Sequence, residues 1–162
     1  MIIRKATNAD IAAANEIYDQ ARKYMRESGN LYQWRDAYPG ATDIKADIAD
    51  GSSYVCEDAG EIVGVFHFHI GTDPTYMKIY DGEWLPGEPY GVMHRVAVKY
   101  HGRGIADLCY SECYKLSGNL KIDTHKDNIP MQKSLLKNGF EYRGIIYLAS
   151  GEPRLAYQRK EK

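Results

Sequence analysis

The residues of this chain best suited to chemistry run from His94 to Ala106. Val96-Ala97-Val98 ends an apolar, β-branched strand, and His101-Gly102-Arg103-Gly104-Ile105-Ala106 forms a glycine turn that opens a helix. Glycine accepts positive φ and lets a ligand approach the main chain. The first N–H groups of a helix have no internal acceptor, and with the helix dipole they favour an anion such as phosphate. Arg103 adds a fixed, forked positive charge. Two other phosphate motifs fail here: GxGxxG would need glycine where Asp107 stands, and the GK[ST] ending of a P-loop is absent.

His94 lies two residues before Val96 and four before Val98, so strand alternation places the three on one side. A histidine titrates near neutral pH and suits removal of a proton from an ammonium. Glu83 and Glu88, in the preceding loop, are rival bases. His67 and His69 alternate on one strand face, a spacing that can hold a metal, but no third ligand is singled out and no metal is expected. His125 follows Asp123-Thr124 at a strand end. The loop from Gly71 to Tyr90 carries Asp73, Asp81, Glu83 and Glu88 against Lys78, interleaved with Tyr76, Tyr80, Trp84 and Tyr90. Acid and aromatic together suit a cationic amine.

The elements that must hold these residues alternate in period. Residues 1–6 read as a strand, and Thr7-Asn8-Ala9-Asp10 as a capping box before a helix that Ser28-Gly29-Asn30 ends. An aromatic connection, 31–40, precedes a short helix expected after Thr42. Strands at 53–57 and 61–70 flank the turn Asp58-Ala59-Gly60. A strand over 91–99 leads to a helix over 104–117, with Ile105, Leu108, Cys109, Cys113 and Leu116 expected inward. After a strand at 120–124, Asn128 caps a helix carrying Met131, Leu135 and Leu136, and a hairpin of 140–148 with 154–159 closes the chain. The order βααβββαβαββ implies an α/β (α+β) fold with a mixed, mostly antiparallel central sheet flanked by helices. Residues 1–162 form a single domain in this reading.

In that order and in its motifs the chain resembles the GNAT N-acetyltransferase superfamily over nearly its whole length. The family's Q/R-x-x-G-x-G/A loop after a Val-Ala-Val-like strand is matched by His101, Gly104 and Ala106, with His101 replacing the usual Gln or Arg. Asn128 and Gly139-Phe140 match the second signature. The resemblance implies acetyl-CoA between the strands near Val98 and Ile122, bound by Val96, Ala97, Val98, His101, Gly102, Arg103, Gly104, Ile105, Ala106 and Asn128. An N–H near Val98 would polarise the thioester carbonyl. The resemblance also implies direct acetyl transfer to an amine, with Trp34 and Tyr38 joining Tyr80 and Trp84 on the acceptor side. His94 or Glu83 is the expected base. The tyrosine that often serves as acid is replaced by Leu135, and Tyr142 and Tyr147 lie nearby in sequence.

Composition narrows the partners. The 162 residues are 44% hydrophobic and 27% charged, enough to bury a core. A net charge of −1 argues against an extended nucleic-acid surface. Cys56, Cys109 and Cys113 form neither a disulfide framework nor a zinc pattern. No apolar run approaches bilayer length and Met1 to Lys5 lack a signal-peptide core, so a cytoplasmic protein is expected. The reading is therefore an N-acetyltransferase acting on a small-molecule amine, a peptide N-terminus or a lysine, with a homodimer compatible. The alternative is a catalytically silent acyl-CoA-binding or sensor domain of the same fold, and a metal-binding module built on His67 and His69 comes third.

Overall fold

The computed structural model describes residues 1–161. Their element order is β1 (Ile2–Lys5), α1 (Ile11–Glu27), α2 (Ala41–Asp50), β2 (Ser53–Asp58), β3 (Glu61–Gly71), β4 (Tyr90–Val98), α3 (Ile105–Ser117), β5 (Asn119–Thr124), α4 (Ile129–Lys137), β6 (Glu141–Tyr147) and β7 (Pro153–Lys160). The strands form one sheet in the order β1-β2-β3-β4-β5-β7-β6. Every neighbouring pair is antiparallel except β4 with β5, which α3 connects as a crossover.

Local chemistry sets the helix starts. Asp10 accepts the Thr7 N–H at 2.8 Å and pairs with Arg4, and α1 begins one residue later. The second helix starts at Ala41 rather than after Thr42, because Gly40 is its N-cap and donates its N–H to Asp43 at 2.9 Å. Asn128 caps α4 by accepting the Met131 N–H at 3.2 Å.

Helices cover both faces of the sheet. One face packs Phe66, Phe68, Met93 and Ile122 against Ile105, Cys109, Tyr110 and Cys113 of α3 and Leu135 of α4. The other packs Val55, Val65 and Ala97 against Ala14, Ile17 and Tyr18 of α1 and Ile44 of α2. Two expected core positions turn outward: Leu116 is 62% exposed and Leu136 57%. Tyr110, one residue after Cys109, takes the inward place on α3 because a helical turn of 3.6 residues carries the stripe across it. The 72–89 loop folds over the far end of that second face, with Tyr76 against Tyr90, Val92, Ile146 and Ala156.

Candidate active site

Beyond Gly91↔Leu120 and Val92↔Lys121, β4 and β5 no longer pair. The strands diverge and open a cleft of about 450 Å³ that reaches from Val98, His101 and Ala106 to Trp34, Leu148 and Arg154. The free edge of β4 faces it. Lys99 donates its N–H to Val63 across the β3 side at 2.8 Å. Antiparallel alternation then turns the Val98 amide the other way, toward the cleft, and Val96 also lines it.

A β-bulge breaks β4 in its middle. Val65 pairs with Ala97 and His67 with His94, so Arg95 and Val96 together oppose the single residue Phe66. Arg95 has φ of 55°, and Tyr18 of α1 donates its hydroxyl to the Arg95 carbonyl at 2.9 Å. The extra residue inverts the alternation. Met93, Val96 and Val98 lie on the α3 face, while Ala97 lies on the α1 face. His94 therefore does not share a face with Val96 and Val98 as the spacing suggested. It stands with His67, at a ring separation of 5.5 Å, and with Tyr76, at 5.8 Å.

His94 sits between two carboxylates. Its Nε2 is 2.7 Å from Asp73 Oδ2, and its Nδ1 is 3.8 Å from Asp123 Oδ2. Burial would raise the Asp73 carboxyl, but hydrogen bonds from His94 and Thr75 outweigh it and hold the group well below the usual carboxylate range. An ionised Asp73 needs a donor, so the network puts the proton on Nε2 and leaves the Nδ1 lone pair free. Asp123 also accepts the Tyr76 hydroxyl at 2.6 Å. Burial and the Asp123 charge push that hydroxyl's pKa up, so it stays a donor.

A second polar cluster backs the first. Arg95 pairs with Asp47 of α2, and His67 Nδ1 lies 3.3 Å from Asp47. His67 Nε2 and His69 Nδ1 face one another at 2.9 Å. The guanidinium beside His67 and this ring-to-ring bond leave the pair poorly placed for a cation. Among the described residues no three His, Cys, Asp or Glu side chains are grouped to hold a metal.

At the other end, Gly102 and Gly104 have φ of 74° and 73°, and a Cβ on either would meet nothing within 4 Å. Leu108 N–H is bonded to Gly104 O. The preceding amides of Ile105, Ala106 and Asp107 are among the four that a helix leaves without internal acceptors. The turn is thus an open cradle with the dipole behind it, which fits a diphosphate. His101 stacks on Tyr24 at 4.0 Å, Arg103 lies over the Tyr100 ring at 4.5 Å, and Ile105 turns into the core. Asn128 lines the cleft and donates to Gln33 at 2.9 Å, tying α4 to the aromatic connection.

On the acceptor side the fold separates residues that the sequence grouped. Trp34, edge-on to Tyr18 at 5.7 Å, and Tyr38 line the cleft. Trp84 does not; its indole donates to Tyr76 O at 2.9 Å and its ring covers Lys121. Tyr80 packs on Tyr147 at 5.2 Å beside a separate shallow depression. Glu83 is exposed outside the cleft, its carbonyl accepting from Arg143 at 2.8 Å. The loop's aromatics are spent on anchoring it, and only Asp73 and Thr75 of that segment reach the cleft. His125 turns away as well, its Nδ1 accepting the Asp127 N–H at 3.0 Å.

Asp73 entered the sequence reading as one loop acid among four. Asp123, Gln33, Arg154 and Tyr110, which also line the cleft, were not singled out. An acid next to Ile122, at the end of the strand after the glycine helix, is the one available signal for Asp123. Leu135 is fully buried; the hydroxyls lining the cleft near it are those of Ser134 and of Tyr110, which lies 3.7 Å from Met131 Sδ.

The chain is similar to a GNAT-family acetyltransferase from Streptococcus agalactiae, at 30% identity over 99% of this chain and 95% of that one, with a TM-score of 0.89. It is similar in fold to a GNAT-family acetyltransferase from Listeria monocytogenes, at 20% identity over 99% and 94% of the chains and a TM-score of 0.70. A ribosomal-protein-alanine N-acetyltransferase from Brucella melitensis aligns at 20% identity over 99% and 100%, with a TM-score of 0.65. No family model and no curated protein matches the sequence. Among the described residues no helix is long and apolar enough to cross a membrane.

Proposed function

Because the chain belongs to the GNAT family of acetyltransferases, we propose that it transfers the acetyl group of acetyl-CoA directly to a primary amine, with His94 as the base. When bound, acetyl-CoA supplies the acetyl group as an activated thioester. Gly102, Arg103, Gly104 and the first amides of α3 hold the diphosphate, and the edge of β4 at Val96 and Val98 pairs with the amides of the pantetheine arm. The Val98 N–H donates to the oxygen on which negative charge develops.

The single observation that carries the catalytic reading is the His94–Asp73 contact at the cleft wall, 2.7 Å long. Asp73 fixes the ring and stabilises the charge that appears when Nδ1 takes a proton from the acceptor ammonium, directly or through one water. Tyr110 supplies the proton for the departing thiolate. Burial raises its pKa, so the hydroxyl keeps its proton at neutral pH, and it reaches the cleft from α3 beside Ser134 of α4, whose Leu135 carries no hydroxyl.

Saturating acetyl-CoA should raise the melting temperature by mass action. A panel of chemically diverse amines should then release free thiol above the rate of hydrolysis. A melting shift without thiol release from any amine would support the silent acyl-CoA-binding domain instead.

A further inference from the structure

Arg154 opens β7 with only 5% of its side chain exposed, yet it lines the cleft. Its hydrogen bonds go to main-chain carbonyls: Pro153 O at 3.0 Å and Gln33 O at 3.5 Å. Among the described residues the nearest carboxylate is Glu152, at 3.8 Å and part exposed. A guanidinium carries five N–H donors and is rarely buried without a planar anion to fork onto. Here two donors meet carbonyls, and no carboxylate stands within hydrogen-bond distance.

Its position is specific. Arg154 is two residues before Ala156 on β7, so the two share a sheet face. Ala156 pairs with Asp123, and Asp123 Oδ2 lies 3.8 Å from His94 Nδ1. Base, acid and guanidinium therefore stand on three adjacent strands of one face, with the cation about two strand residues, ~7 Å, from the Asp123 level.

We infer that Arg154 anchors a carboxylate of the acceptor, so that the preferred substrate is a small zwitterion, a free amino acid or close analogue, whose ammonium lies at Asp123 and His94. This rests on the acetyl-transfer reading and narrows its acceptor. Asp123 and Glu152 act on Arg154, and Glu152 is itself paired with Arg35 at 2.6 Å, so the charge left over at Arg154 suits a monoanion better than a dianionic phosphate. A protein N-terminus offers an amide where the carboxylate should be. Trp34, Tyr38 and Leu148 line the same end and leave room for an apolar side chain.

The test compares free L-amino acids with their carboxamides, and ethanolamine with phosphoethanolamine. Thiol release is measured with acetyl-CoA, and melting shifts are measured without it. At least one amino acid should show kcat/KM about 10- to 100-fold above its amide, the scale of one charge-assisted contact. Arg154→Gln should erase that gap by lowering the carboxylate partner, and Arg154→Lys should keep part of it. Equal turnover of acid and amide in the wild type overturns the assignment whether or not the variants fold. A preference for phosphoethanolamine overturns the choice of carboxylate. If no amine releases thiol, the transfer reading fails, and the melting arm still decides the anchor: carboxylate-selective stabilisation lost in Arg154→Gln supports it, and stabilisation blind to the carboxylate overturns it.

Discussion

His94 and Asp73 are 21 residues apart in sequence and 2.7 Å apart in space, joining β4 to the loop that precedes it. Asp73 is itself fixed by Thr75, whose N–H and hydroxyl both donate to Oδ1, and by the Tyr90 hydroxyl, which accepts the Asp73 N–H. Asp73→Asn should keep this frame but weaken the stabilisation of a protonated ring. We expect kcat to fall about 10- to 100-fold with the KM for acetyl-CoA little changed. An equal loss in both would place Asp73 in coenzyme binding instead. The same substitution tests linkage. The Asp73 pKa is depressed in the folded chain, so its stabilisation is complete above the unfolded value, about 4, and is lost as pH falls below it. The Asn variant should show a shallower loss of stability between pH 5 and 2 in denaturant titrations.

The extra residue Arg95 is what puts His94 opposite Val96 and Val98. Deleting Arg95 should restore simple alternation with His94 directly before Val96, and so leave His94 on its present face. Thiol release should then persist, lowered by loss of the Arg95–Asp47 pair, while circular dichroism still reports a folded sheet. Loss of all turnover in a folded variant would show that the bulge itself, beyond the choice of face, aims the base.

The same bulge marks where the sequence stopped being legible. Element order follows from periodicity and turn residues, which are local, so the order βααβββαβαββ and the mixed sheet can be read directly. The glycine turn is legible for the same reason: Gly102 and Gly104 sit where positive φ is needed. A bulge leaves no such trace, because Arg95 is an ordinary strand residue in sequence and its φ of 55° is set by Asp47 and Tyr18 from distant helices. Counting by twos across it therefore gives His94 the wrong face. The acceptor side fails for another reason. Tyr80, Trp84 and Glu83 look like a binding loop by composition, but composition does not say which aromatics anchor a loop. Asp123 and Arg154 become neighbours of His94 only through strand order.

Gly104 separates backbone strain from ligand crowding. At φ of 73° a β-branched residue is disfavoured even in open space. Gly104→Val should lose about 1–2 kcal/mol of stability and bind acetyl-CoA at least tenfold more weakly. Gly104→Asn, which tolerates the left-handed region, should recover most of the stability but not the affinity. Calorimetric titration showing wild-type affinity in the Asn variant would mean that the cradle does not carry the diphosphate.

Tyr110→Phe removes the hydroxyl assigned to the leaving thiolate and keeps the ring against Phe140, 5.5 Å away. Turnover should fall about tenfold or more, and the fall should shrink with acyl donors whose thiols leave more readily. A loss independent of the leaving group would make Tyr110 a packing residue.

Lys121 gives a test of stability independent of catalysis. Its ammonium is enclosed by Tyr90, 3.7 Å from the ring centre, and Trp84, at 4.4 Å. Through Trp84 the 72–89 loop is pinned to β5 at the start of the strand divergence. Burial lowers the pKa from 10.5 to about 8, with Glu88 opposing the shift and Lys160 adding to it. Between those values the unfolded chain holds more protons than the folded one, so stability should rise with pH across that window. Below about pH 8 the cost of the buried charge is fully present. Lys121→Met keeps the stem between the rings and discards the charge. Its advantage over the wild type, measured by urea unfolding at pH 7 and pH 10, should be largest at pH 7 and shrink toward pH 10. A difference that stays constant across the two would show that the rings hold the ammonium without depressing its pKa.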